Sequence, residues 1–114
     1  MNLSTFPHAI ATASYELLAL GTKIRNVRSA ILDIEAEVDQ AIAFSDLKNE
    51  AQRKSTKAQM LKDHESYTDF ATRLQELTDD YSRADVGLNL IKNNFTIGKL
   101  EARERIAKME SLAA

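Results

Sequence analysis

The side chains with the most chemistry to offer are two histidines, His8 and His64, and two groups of carboxylates. An imidazole ligates metals or moves protons near neutral pH when a second group fixes its orientation. His8 follows Pro7, and His64 lies in Asp63-His64-Glu65-Ser66, a stretch with the composition of a turn. Neither has a ligating residue at i+4, so both read as exposed turn or terminal residues. Asp33, Glu35, Glu37 and Asp39 alternate along the chain, which on a helix spreads them around the circumference instead of converging them. They and Asp79-Asp80 read as solvated faces. Gly21, Gly87 and Gly98 are isolated, so no phosphate-cradling loop is formed. No serine sits in a nucleophile elbow, and cysteine is absent. Tyr67, Phe70, Tyr81 and Phe95 could stack on bases, but all four fall on an apolar seam. The sequence therefore predicts no catalytic residue, cofactor or metal, and a protein that is not an enzyme.

The elements that would position any site are long helices. Across residues 10–41, spacings of three and four pick out Ile10, Ala13, Leu17, Leu20, Ile24, Val27, Ile31, Ile34, Val38 and Ala41, all apolar. In a chain that is 44% hydrophobic, such a run arises by chance with a probability of about 0.0003 per register, so it marks a heptad seam. A second seam comprises Tyr67, Phe70, Leu74, Leu77, Tyr81, Ala84, Leu88, Ile91 and Phe95. Beyond Phe95 this register meets Gly98, Ala102 and Arg105 while the larger apolar residues shift, so the seam is expected to drift there. Between the seams, Ser45 to Asn49 reads as a break and Asn49 as the cap of a short basic helix. The first helix is expected over about residues 7–44, capped by Ser4 or Thr5; the short helix over 49–62; and the third over 66–110, capped by Asp63 or Ser66.

These features predict an all-α fold, a long antiparallel coiled-coil helical hairpin with a short connecting helix, in one domain over residues 1–114. Matching the seams gives facing residues whose numbers total 108, such as Leu17 with Ile91 and Val38 with Phe70, and a fold-back near Lys54; registers one heptad away also satisfy the pattern. Composition agrees. Three glycines and one proline are too few for a sheet-and-turn protein, and 28% charged residues suit helices with a buried stripe. A net charge of −2 lacks the basic excess usual in nucleic-acid-binding domains. The N-terminal residues do not resemble a signal peptide and no apolar run approaches ~20 residues, so the expectation is a soluble cytoplasmic protein without membrane contact.

A two-helix hairpin buries one stripe per helix and leaves other apolar residues uncovered. Leu18, Leu32, Val86, Leu90 and Ile97 lie off the seams and are expected at the subunit contact of a homodimer with a four-helix arrangement. The moderately basic segment 99–109 is amphipathic, and its Leu100, Ile106 and Met109 extend the expected partner or oligomer surface. Its interleaved Glu101, Glu104 and Glu110 suit a phosphate-binding strip poorly. The sequence thus favours a non-enzymatic assembly protein that presents helices to a protein partner. The alternative is an accessory nucleic-acid-binding protein using the basic end of the last helix.

Two segments, Leu47-Lys48-Asn49-Glu50-Ala51-Gln52-Arg53-Lys54 and Asn94-Phe95-Thr96-Ile97-Gly98-Lys99-Leu100-Glu101-Ala102-Arg103, resemble small helical proteins encoded in phage and prophage early regions, near recombination or replication genes. The resemblance implies an accessory or interaction protein of mobile-element origin and carries no catalytic residues. Secreted helical hairpins are a second comparison, since Tyr81-Ser82-Arg83-Ala84-Asp85 mimics their Tyr-x-x-x-Asp element. They carry a Trp-x-Gly turn, which this chain lacks, and that reading is rejected.

Overall fold

The computed structural model describes residues 2–113. They form an all-α helical hairpin: a 3-10 turn, Leu3–Thr5, leads into α1 (Phe6–Ala43), followed by the connecting helix α2 (Glu50–Asp63) and by α3 (Glu65–Ala113).

Local chemistry explains each boundary. Pro7 occupies the first turn of α1, where its missing N–H would be unpaired in any case. Neither Ser4 nor Thr5 acts as the predicted cap. Thr5 instead closes the 3-10 turn, with its N–H and hydroxyl both donating to the Asn2 carbonyl, at 3.0 and 2.6 Å. Helix α1 runs unbroken through Gly21. It ends where the Ser45 N–H and hydroxyl both turn back onto the Ile42 carbonyl, at 3.0 and 2.5 Å. Asn49 caps α2 as its residue type predicts, accepting from the Ala51 N–H at 2.7 Å.

The junction of α2 and α3 departs from expectation. His64 takes an extended conformation that stops α2, and its Nδ1 accepts the Tyr67 N–H at 3.2 Å, which caps α3. Asp63, a predicted cap, is engaged by Gln59 at 2.9 Å instead. His64 is thus a half-buried structural residue, not an exposed turn residue.

The helices pack as two compact units, one of Met1–Ala19 with Tyr81–Ala114 and one of Leu20–Asp80. In the first unit Phe6 and Leu88 are buried. The Phe6 and Phe95 rings meet at 5.3 Å between centroids and 31°, and Leu3 packs over Gly98. Both facing pairs have residue numbers that total 101. In the second unit Ile24, Ile34, Val38, Ile42 and Leu77 form the core, with Leu77 only 1% exposed. There the Tyr67 hydroxyl donates to Glu35 Oε1 at 3.4 Å, a pair that totals 102, and Lys57 of α2 binds Asp39 of α1 at 2.8 Å.

The totals of 101 and 102 lie seven and six below the predicted 108, which places the register about one heptad away. A seam slid by seven residues still sets apolar against apolar, so the pattern alone does not distinguish the two registers. The fold-back consequently lies at the start of α2, short of Lys54. Three seam positions also change. Ala41 is exposed and Ile42 is buried in its stead, Tyr81 is 36% exposed, and the seam does not drift at Phe95 but continues through half-buried Gly98 and Ala102.

Candidate functional site

Among the described residues no three His, Asp or Glu side chains converge as metal ligands would. Asp33, Glu37 and Asp39 are exposed, whereas Glu35 is half-buried beside Tyr67 and so is not part of a simply solvated face. His8 is exposed and His64 is engaged as a helix cap.

An open cleft of about 400 Å³ in the second unit collects Lys48, Arg53, Lys54 and Lys57 beside Asp39 and Ile42. Three of the four cations are already committed. Lys57 is bound to Asp39 at 2.8 Å, Lys54 lies 4.0 Å from Glu50, and Arg53 Nε donates to the Leu47 carbonyl at 2.9 Å. The hydrogen bond that Lys57 donates to Asp39 chiefly, opposed by desolvation and assisted by the charges of Asp39 and Glu35, raises the Lys57 ammonium above the usual lysine range. Neutralised cations of this kind hold a helix in place and leave little field for an anion. A second open cleft, of about 390 Å³, lies in the first unit among Leu3, Phe6, Asn94, Ile97 and Arg105.

The distinctive surface is apolar. All eight residues predicted as a partner or oligomer contact lie on the outside: Leu18 63% exposed, Leu32 63%, Val86 68%, Leu90 59%, Ile97 53%, Leu100 57%, Ile106 55% and Met109 67%. They are unevenly divided. The second unit holds five buried apolar residues and, of the large exposed ones, only Leu32 and Phe44. In the first unit the balance is reversed: Phe6 and Leu88 are buried, while seven of the eight predicted contacts are exposed together with Tyr15, Tyr81 and Leu112.

Helical geometry sorts the exposed residues of α3 into two faces. At about 100° per residue, Val86, Leu90, Ile97 and Leu100 share one side. Ile106 and Met109 follow Phe95 and Gly98 by eleven positions each, about three turns, and therefore return to the seam face that packs on α1 higher up. Sequence reading grouped these two faces into one surface and missed Leu112 and Tyr15. Extending the 3.6-residue period past Phe95, with Gly98 and Ala102 accepted as seam residues, separates them.

Two of the lysines on this part of α3 are engaged within the helix. Lys108 lies 3.8 Å from Glu104, and Lys99 stands 4.6 Å above the centre of the Phe95 ring. No helix of the described residues is long and apolar enough to cross a membrane. Comparison with known proteins found no match: no family model, no curated protein and no solved structure is significantly similar to the chain.

Proposed function

We propose that the protein is a non-enzymatic assembly protein, which associates with itself and presents helical surfaces of its first unit to a protein partner. The observation that carries this reading is the inversion between the units: one encloses its large apolar residues, while the other leaves most of its own in water. Apolar side chains clustered on one part of a surface mark association sites more often than scattered ones do. Self-association into a homodimer would cover part of that surface, and a helix of another protein would cover the rest. A phage or mobile-element accessory role is the setting implied by the two resembling segments.

Nucleic-acid binding through the last turns of α3 is the weaker alternative, because Lys108 and Lys99 are engaged within the helix and Glu101, Glu104 and Glu110 interrupt the basic residues. Two measurements test the proposal together. Light scattering at tens of micromolar is expected to give a mass above the 12.7 kDa of one chain, and DNA or RNA columns are expected to show no salt-sensitive retention. A monomer that elutes from DNA in proportion to salt would reverse the conclusion.

A further inference from the structure

We propose that residues 102–113 of α3 are the self-association site, and that their occupant is the same segment of a second copy, lying antiparallel. This rests on the self-association reading above and assigns it a place. Three observations lead to it.

The first is continuity. The face of α3 that packs on α1 carries Leu88, Ile91, Phe95, Gly98 and Ala102, buried or half-buried. Contact with α1 and the turn before it reaches as far as Leu3 of the 3-10 turn, which lies over Gly98. The same face then continues through Ile106, Met109 and Ala113, yet from residue 103 to 113 every side chain is exposed. A core stripe thus runs on for about three turns with nothing among the described residues upon it.

The second is direction. Helix α1 covers this face up to Phe95, the 3-10 turn before it covers Gly98, and α1 runs antiparallel to α3. An antiparallel helix laid on the remaining turns continues the position that α1 occupies. A parallel one would bring the α1 helices of both copies into the space between the two α3 helices.

The third is charge. With Ile106 of one copy facing Met109 of the other, Arg103 of each copy flanks Glu110 of the other, and the two-fold relation makes this pair twice. A parallel pairing would use Arg105 with Glu110 instead. Contact over about three turns a side falls at the small end of specific interfaces, so the expected dissociation constant is micromolar. The face of Val86, Leu90, Ile97 and Leu100, about half a turn away, stays available to another protein.

Sedimentation equilibrium of the full chain and its variants decides the matter, with helicity checked by circular dichroism. The wild type is expected to be a dimer at about 100 µM. Arg103→Glu or Glu110→Arg alone, each of which sets like charges together twice, is expected to weaken it about tenfold, and the double exchange to restore it. Ile106→Asp should abolish the dimer, while Leu90→Asp and Arg105→Glu should leave it intact. A dimer that survives Ile106→Asp but is lost in Leu90→Asp would overturn this site and leave self-association standing. Restoration by Arg105→Glu with Glu110→Arg would overturn the antiparallel arrangement. A wild-type monomer at that concentration would overturn both the site and the broader reading.

Discussion

A Cβ built on Gly98 would stand 2.9 Å from Leu3 Cδ2, whereas one on Gly87 would meet nothing within 4 Å. Both glycines are interior to α3, where alanine is favoured by about 0.5–1 kcal/mol. Gly87→Ala should therefore raise stability by about that amount. Gly98→Ala should gain less, because a methyl group of Leu3 must give way first. Urea melts of the two variants check this. Equal gains would mean that Leu3 does not lie over Gly98 in solution, and would put the register of the first unit in question.

Leu77 is the most enclosed side chain of the second unit, at 1% exposure. Leu77→Ala should cost about 2–5 kcal/mol through lost burial and the cavity left behind. A loss below about 1 kcal/mol in thermal or urea unfolding would place Leu77 outside the core.

Glu35 sits within reach of the Tyr67 hydroxyl at 3.4 Å. The bond is long and part-exposed, so Glu35→Ala is expected to cost about 0.5–1 kcal/mol, with Tyr67→Phe equivalent and the double variant no worse than either. Additive losses in the double variant cycle would show that the two side chains do not interact.

The Lys57–Asp39 contact predicts an alkaline sensitivity. Because the hydrogen bond to Asp39 raises the folded-state lysine above its unfolded value, its contribution is complete below the ordinary lysine range. It is lost as pH rises through the folded value. Melting temperatures measured from neutral pH upward should fall in that alkaline window for the wild type, and the fall should be shallower in Lys57→Met. Identical slopes would show that this pair does not link α2 to α1.

The seams made the fold legible, because ten and nine apolar residues at heptad spacing leave a long helix few other ways to bury its stripe. Ile24, Ile34, Val38, Leu77 and Leu88 were identifiable as core on that ground alone. Register was not, since a seam repeats itself every seven residues and only specific pairs such as Phe6 with Phe95 break the degeneracy. The cap at His64 was hidden because an imidazole nitrogen is an unusual substitute for the short oxygen side chains that mark helix starts. The end of the seam is hidden for a different reason. Gly98 and Ala102 carry little hydrophobicity of their own, so the stripe is seen to pass through them only once Leu3 is found opposite. The eight exposed apolar residues were legible as a group, but their division between a unit that encloses its core and one that does not required the fold.

Backbone hydrogen exchange followed as a function of protein concentration tests the central claim most directly, because it reads both units in one experiment. From about 1 to 100 µM, residues 102–113 should gain protection about in proportion to dimer formation, while residues 20–80 exchange at an unchanged rate. Protection of residues 102–113 that does not change with concentration, or that changes only within residues 20–80, would contradict the account.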